Sequence, residues 1–170
     1  MSQSDDRTER CDICQGMVNV VALTQAPCGH IFCHPCLRQL FRLAVSHESR
    51  YPAHCCFDQI PLEPFIPILG ADLVRQYRAK TIEYTTHPRV YCHRRECSAF
   101  IPPDDRTGSE GRCPACQART CIDCKGPSHA GDCPRDYTLE RVLALAQENG
   151  WRRCPNCQTM VERKDGCDHM

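Results

Sequence analysis

The sequence predicts small α+β domains in series, each stabilised by zinc and joined to the next by a helical linker. Cysteine supplies 17 of the 170 residues, far above ordinary usage. The cysteines fall into three clusters, at 11–56, 92–133 and 154–167. Only five Phe, five Tyr and one Trp are available to fill an apolar core. Domains with so little core usually need a metal or a disulfide to fold.

These cysteines are predicted to bind metal rather than to form disulfides. Residues 1–10 are polar and charged, without the apolar centre of a secretory signal. No apolar run approaches the roughly 18 residues of a membrane span, so we expect no membrane contact. We therefore expect a reducing compartment, cytoplasmic or nuclear, in which clustered cysteines bind metal. An odd number of cysteines also fits poorly with a fully paired set of disulfides.

The charge balance argues against nucleic acid as a partner. The chain has 21 basic and 21 acidic residues. Proteins that bind nucleic acid usually carry a basic surface that neutralises phosphates. We therefore expect no nucleic-acid partner.

Two segments without cysteine are predicted to be helices. In residues 71–85, Leu73, Val74, Tyr77 and Ile82 are spaced to share one helix face. In residues 137–148, a second apolar stripe consists of Leu139, Val142, Leu143 and Ala146. Asp136 is placed to cap the second helix, and Gly150 to end it. For both stripes we expect a buried packing face, with partner binding as a possible addition.

Five C-x2-C pairs supply most of the predicted metal ligands. They are Cys11/Cys14, Cys33/Cys36, Cys113/Cys116, Cys121/Cys124 and Cys154/Cys157. Such a pair forms a tight turn, called a knuckle, that aims two thiolates at two corners of a tetrahedron around zinc. Gly16 and Gly126 each follow a pair by two residues, where we expect the knuckle to need a positive φ.

The first cluster reads C-x2-C-x13-C-x-H-x2-C-x2-C-x18-C from Cys11 to Cys55. It resembles a RING domain, in which two zinc sites interleave along the chain. The resemblance implies one site of Cys11, Cys14, Cys33 and Cys36, and a second that begins with Cys28 and His30. The second site is completed either by Cys55 with Cys56 or by one of these with Asp58. Thiolate is the commoner zinc ligand, which favours the two cysteines.

The second cluster reads C-x4-C-x15-C-x2-C-x4-C-x2-C-x4-H-x3-C from Cys92 to Cys133. It resembles the in-between-RING domain, in which two zinc sites follow one another along the chain. The resemblance implies one site of Cys92, Cys97, Cys113 and Cys116, and another of Cys121, Cys124, His129 and Cys133. These residues would build the fold and do no chemistry. The stretch 104–112 then becomes a solvated loop between ligand pairs.

The third cluster has W-x-x-C-P-x-C from Trp151 and G-C-x-H-M around Cys167. It resembles the start of the second RING of RING-between-RING ubiquitin ligases. The resemblance implies that Cys154 and Cys157 bind zinc and that Cys167 accepts ubiquitin as a thioester. His169 would take the proton from the incoming amine. An ordinary RING with Cys167 and His169 as ligands has the same spacing, but the second cluster upstream favours the catalytic interpretation.

The order of the three clusters matches the RING-between-RING family and implies a ubiquitin-protein transferase. Its expected partners are a ubiquitin-conjugating enzyme, ubiquitin and a protein substrate. Its expected cofactor is zinc, at four complete sites and one partial site. Ile13 and Leu40 occupy positions similar to those at which RING domains contact the conjugating enzyme, although Leu40 suits a core position equally well.

The expected domains are a RING finger, an in-between-RING domain and a partial second RING. Their limits are 1–10 for a disordered start, 11–60 for the first RING, 61–89 for a helical linker, 90–135 for the in-between-RING domain, 136–150 for a linker helix and 151–170 for the incomplete second RING. Because the sequence stops at Met170, before that RING's remaining ligands, we expect weak or absent ligase activity with docking retained. The alternative function is a non-catalytic zinc adaptor that binds a conjugating enzyme without transfer.

Overall fold

The computed structural model describes residues 7–131, 133, 137–153 and 160–162. They divide into two compact units between residues 84 and 85. Both units combine short helices with short antiparallel strands, so the predicted α+β character is confirmed. Within the described residues, no helix is long and apolar enough to cross a membrane.

The first unit is built from local strand pairs and three helices. In chain order its elements are β1 (Thr8–Arg10), β2 (Met17–Asn19), β3 (Leu23–Gln25), β4 (Ile31–Cys33), α1 (His34–Ser46), β5 (His54–Cys55), β6 (Asp58–Gln59), α2 (Ile66–Leu69) and α3 (Ala71–Thr85). The pairs are β1 with β2, β3 with β4 and β5 with β6. Residues 8–10, which we expected to be disordered, therefore form a strand.

The core of the first unit forms between α1 and the segment that leads into α3. Leu37, Phe41 and Ala44 lie on one face of α1 at helical spacing and are buried. They share a core with Ile60, Leu62, Phe65, Leu69, Leu73, Val74 and Tyr77. The helical segment after residue 60 is thus packed into the first unit along most of its length.

Tyrosine side chains attach α3 to this core. The Ala53 N–H donates a hydrogen bond to the Tyr77 hydroxyl oxygen at 3.2 Å, and the Tyr84 hydroxyl donates to the Val45 carbonyl at 3.0 Å. The Tyr51 ring lies between them, with its centroid 5.6 Å from that of Tyr77 and 5.3 Å from that of Tyr84. These contacts fix α3 against the end of α1.

The predicted bounds of α3 are confirmed, and its apolar stripe is buried over only part of its length. Leu73, Val74 and Tyr77 are buried, whereas Ile82 is exposed. The buried core reaches Tyr77, and Ile82 lies more than one turn further along the helix. The prediction that all four residues share a buried face is therefore wrong for Ile82.

The described residues of the second unit form a three-stranded sheet, one helix and one further strand pair. Its elements are β7 (Arg106–Thr107), β8 (Glu110–Arg112), β9 (Arg119–Cys121), α4 (Tyr137–Glu148), β10 (Arg152–Arg153) and β11 (Met160–Val161). The sheet has the order β7-β8-β9, and β10 pairs with β11. Every pairing is antiparallel.

The stretch 104–112 is not the solvated loop that we expected. It contains the hairpin of β7 and β8, with Gly108 at a φ of +57° in the turn. Gly111 is buried, and a Cβ there would lie 3.1 Å from the Ile101 side chain. Because Gly111 has no side chain, its strand can pack closely against Ile101. The glycine content of the stretch 104–112 does not by itself indicate this contact.

The bounds of α4 are also confirmed. Gly150 follows it with a φ of +70°, and the Trp151 N–H donates to the Ala146 carbonyl at 2.8 Å. This is the bond expected when a glycine ends a helix. Asp136, the predicted cap, lies outside the described residues.

Two of the three described side chains in the apolar stripe of α4 are exposed, and the side chain of Leu139 lies outside what the structure describes. Ala146 is buried, but Val142 and Leu143 are 40% and 42% exposed. The expected buried face is therefore wrong for these two residues. Helical spacing places side chains on one face, but it does not specify a surface that covers them.

Phe41→Ala should lower the free energy of unfolding of the first unit by about 3–5 kcal/mol, since it removes a fully buried ring and leaves a cavity. Val21→Ala is the matched control, because Val21 is 75% exposed in the same unit. Guanidinium unfolding of the zinc-saturated chain, followed by circular dichroism, measures both. Equal midpoints for the two variants would contradict the assigned core.

Candidate metal centres

Three of the C-x2-C pairs fold into the same hydrogen-bonded turn. The Cys11 N–H donates to the Gly16 carbonyl at 3.0 Å, and the Gln15 N–H donates to the Cys11 carbonyl at 2.9 Å. The same two bonds recur in the turns that begin at Cys113 and at Cys121. Each turn holds its two cysteines in a fixed relation, as a knuckle requires.

The positive φ of each knuckle lies one residue earlier than we expected. Gln15, Gln117 and Lys125, each directly after the second cysteine of a pair, have φ of 63°, 61° and 63°. Gly16 and Gly126 are not among the residues with positive φ. The prediction for these two glycines is therefore wrong, because the residue directly before each of them takes the positive φ of the turn.

The ligand atoms converge in four groups, in each of which all four atoms lie within 4.8 Å of one another among the described residues. Two groups interleave in the first unit. Cluster 1 is Cys11, Cys14, Cys33 and Cys36, and cluster 2 is Cys28, His30, Cys55 and Cys56. Two follow one another in the second unit. Cluster 3 is Cys92, Cys97, Cys113 and Cys116, and cluster 4 is Cys121, Cys124, His129 and Cys133.

The spacing of the sulfur atoms fits tetrahedral zinc. Ligands at a Zn–S distance of about 2.3 Å stand about 3.8 Å apart at the corners of a tetrahedron. The observed Sγ–Sγ distances are 3.9 Å for Cys14–Cys33, 3.5 Å for Cys92–Cys116, 3.6 Å for Cys97–Cys113 and 3.7 Å for Cys121–Cys133. A disulfide would need about 2.05 Å, and every described cysteine is free. Zinc, which accepts sets of cysteine and histidine ligands, suits all four clusters.

Cluster 2 contains both of the adjacent cysteines. The Sγ atoms of Cys55 and Cys56 each lie 3.6 Å from His30 Nδ1, and Cys28 Sγ lies 3.3 Å from it. Asp58 is not part of the group and pairs with Cys55 across the β5–β6 hairpin. Of the two alternatives for completing this site, the geometry favours the pair of cysteines.

Asp12 fastens the first knuckle to β4. Its carboxylate accepts a hydrogen bond from the Ile31 N–H at 2.6 Å, and its own N–H donates to the Ile31 carbonyl at 2.8 Å. The next residue, Ile13, is 45% exposed. Ligand spacing contains no signal for this role of Asp12, which holds an apolar side chain at the surface beside cluster 1.

Thr120 links clusters 3 and 4. It is fully buried, and its hydroxyl oxygen accepts from the His93 N–H at 3.2 Å and lies 3.0 Å from His93 Nδ1. His93 directly follows the ligand Cys92, and Thr120 directly precedes the ligand Cys121. Ligand spacing contains no signal for this pair, because neither residue is a metal ligand.

One thiol in each cluster has a lowered pKa. Burial raises the pKa of Cys11, but backbone N–H donors outweigh it and bring the pKa to about 6. At Cys28, Cys116 and Cys121 backbone N–H donors are the largest cause, and each pKa falls to about 7. These four thiols are therefore poised to bind a cation as thiolates near neutral pH.

Other thiols in the same clusters have a raised pKa. Burial raises the pKa of Cys55 and of Cys92 to about 12, and the Cys121 thiol raises that of Cys133 to about 11. A cation is needed to hold these groups as thiolates, so zinc binding must displace protons from them. Zinc affinity should therefore fall as the pH falls.

The predicted site residues at the end of the sequence lie beyond what the structure describes. Cys154, Cys157, Cys167 and His169 are all outside the described residues. The strands β10 and β11 flank the first two of them in sequence.

Two family models match the chain. A zinc finger of C3HC4 type (RING finger) matches residues 11–57, and the IBR domain, a half RING-finger domain, matches residues 72–133. The first match includes Cys55 and Cys56 and ends before Asp58. Together the two matches contain all four described clusters.

Several curated proteins are similar to this chain. Human E3 ubiquitin-protein ligase RNF144A is 26% identical, over 94% of this chain and 62% of its own length. E3 ubiquitin-protein ligase RNF217 of Xenopus laevis is 39% identical, over 84% of this chain and 57% of its own length. The chain thus spans about six tenths of the length of these relatives. Among solved structures, Pediculus humanus Parkin bound to phospho-ubiquitin is 21% identical, with a TM-score of 0.46, over 95% of this chain and 58% of that chain.

His30→Ala should lower the zinc content by one ion per chain, since it removes a ligand of cluster 2 and leaves the other three clusters complete. His54→Ala is the matched control. His54 neighbours Cys55, but it is exposed, and its Nδ1 lies 2.9 Å from the Pro52 carbonyl. Atomic emission on dialysed protein measures both variants. Equal zinc contents would show that cluster 2 is assigned wrongly.

Proposed function

We propose that this chain is a ubiquitin-protein transferase of the RING-between-RING family. One observation carries the proposal: a pair of interleaved metal clusters precedes a pair of successive ones, in the family's order. The ligase names of its relatives support the same activity. The sixteen residues of the four clusters would hold four zinc ions, which shape the domains and leave the chemistry to a separate thiol.

The first unit would dock the ubiquitin-charged conjugating enzyme. Ile13 is the better of the two predicted contacts, because it is 45% exposed and the bonds of Asp12 hold its knuckle in place. Leu40 is half-buried and packs against the core of the first unit. An apolar side chain that is held at the surface on a rigid turn suits a protein interface, because its burial against a partner is favourable.

Cys167 would be the acceptor of ubiquitin. Its thiolate would attack the thioester carbonyl of the charged conjugating enzyme and expel that enzyme's thiolate, an exchange of like for like. A substrate lysine would then attack the new thioester and expel the Cys167 thiolate. His169 would take the proton from the incoming amine. This part of the proposal rests on the G-C-x-H-M match at residues 166–170.

A single-turnover assay with a ubiquitin-charged conjugating enzyme, run on a non-reducing gel, tests the acceptor. The chain should form a ubiquitin adduct that reductant cleaves and that Cys167→Ala abolishes, with zinc content unchanged. His169→Ala should keep the adduct but slow its discharge to lysine. If no adduct forms while the conjugating enzyme still binds, the chain is a docking adaptor and the transferase proposal fails.

Ile13→Ala should weaken binding of the conjugating enzyme about tenfold, the usual cost of removing an anchor at an interface. Val21→Ala is the control, because it truncates another exposed apolar side chain of the same unit. Calorimetry on zinc-saturated protein measures both affinities. An unchanged dissociation constant for Ile13→Ala would remove this residue from the proposed docking surface.

A further inference from the structure

Cluster 2 is the most solvent-accessible of the four clusters. Among the described clusters it is the one without a buried ligand, since His30 and Cys56 are exposed and Cys28 and Cys55 are only half-buried. Clusters 1 and 3 each bury two ligands, and cluster 4 buries one. Small solutes in water can therefore reach the sulfur atoms of cluster 2 most easily.

The two cysteines of this cluster are adjacent on an exposed hairpin turn. Cys55 ends β5, and the turn to β6 consists of Cys56 and Phe57. Phe57 is fully exposed, so no part of the unit shields the tip. The other three clusters take their neighbouring ligands from C-x2-C, C-x4-C or H-x3-C pairs, which keep the ligand residues apart in sequence.

Cys56 also has an unfavourable backbone conformation. Its φ is +54°, at the first position of a two-residue turn where glycine is normally preferred. A cysteine at such a position is explained by the ligand that it supplies, since strained residues persist where their surroundings hold them. Loss of the metal would remove that constraint from the turn.

We propose that Cys55 and Cys56 form an oxidation site, at which hydrogen peroxide converts the two zinc-bound thiolates into a disulfide between adjacent residues and releases the zinc of cluster 2. The two sulfur atoms already lie within 4.8 Å of each other. With both sulfurs oxidised, Cys28 and His30 alone remain, and two ligands do not retain a structural zinc.

The chemistry balances as a two-electron oxidation. The Cys56 thiolate attacks one oxygen of the peroxide, which gives a sulfenic acid and a hydroxide ion. The Cys55 thiolate then attacks that sulfur, so the S–S bond forms, the S–O bond breaks and a second hydroxide leaves. Two protons from solvent convert the hydroxides to water.

The product should be easy to reduce. Adjacent Cα atoms are about 3.8 Å apart across a trans peptide, below the usual 4.4–6.8 Å for a disulfide. Such a strained bond is more oxidising than a structural disulfide, so an ordinary thiol reductant should open it. The oxidation is therefore reversible, and zinc can bind again. Neither step depends on the proposed transferase activity.

Peroxide titration of the zinc-loaded full chain tests the proposal, with a chromogenic chelator to count released zinc. After denaturation and alkylation, trypsin yields the peptide 51–75, which contains Cys55 and Cys56 and no other cysteine. We expect the first zinc to leave as this peptide loses two hydrogens and resists alkylation, and thiol reductant with added zinc to restore both. The proposal is overturned if the first zinc leaves without that change. It is also overturned if the peptide 51–75 becomes cross-linked to the peptide 11–38, which contains Cys28.

Two variants sharpen the result. Cys56→Asp keeps a zinc-binding side chain but removes the adjacent pair, so the first release of zinc by peroxide should disappear. Asp58→Ala alters an exposed residue of the same hairpin outside the cluster and should release zinc as the unmodified chain does. The zinc content of both variants is measured before oxidation. The peptide map of the unmodified chain tests the proposal independently of either variant. A Cys56→Asp chain that contains four zinc ions and still loses one at the same peroxide concentration contradicts the assignment.

Discussion

The meeting of four ligand atoms at each metal centre constrains every other part of this chain. In the second unit the buried apolar residues around the ligands Cys92 and Cys113 are only Val90, Ile101 and Ala118 within the described segments. So small a core cannot offset the conformational entropy lost on folding. A structural zinc contributes on the order of 10 kcal/mol, as much as the whole stability of a typical domain. The strands and turns are therefore arranged around the metal centres.

The first knuckle connects this constraint to function. Burial raises the pKa of the Cys11 thiol, but the backbone N–H groups of Cys33 on β4 and of Cys14 and Ile13 in the turn outweigh it, so the fold prepares this ligand for a cation. The same turn presents Ile13 at the surface, while Asp12 ties it to β4. A metal site that does no chemistry can thus still determine a docking surface, because it fixes the backbone from which the anchor projects.

Cluster 2 shows the cost of departing from the C-x2-C pattern. Its adjacent cysteines complete a ligand set with His30, but they lie on an exposed turn with a positive φ at Cys56. Clusters 1 and 3 each bury two of their ligands, and those of cluster 3 lie within the apolar core of the second unit. Stability and chemical sensitivity therefore differ between metal centres with nearly identical donor sets, because burial and local backbone differ.

The sequence by itself determined the ligand residues of clusters 1, 3 and 4, the ligands Cys28 and His30 of cluster 2, and the bounds of α3 and α4, since ligand spacing and helical periodicity are local properties of a chain. Tertiary structure alone decided what depends on contacts between distant residues. It placed Cys55 and Cys56 rather than Asp58 beside His30, and it packed Gly111 against Ile101 in a strand. It also decided that Val142 and Leu143 in the stripe of α4 are exposed, because a helical face is buried only where another surface meets it.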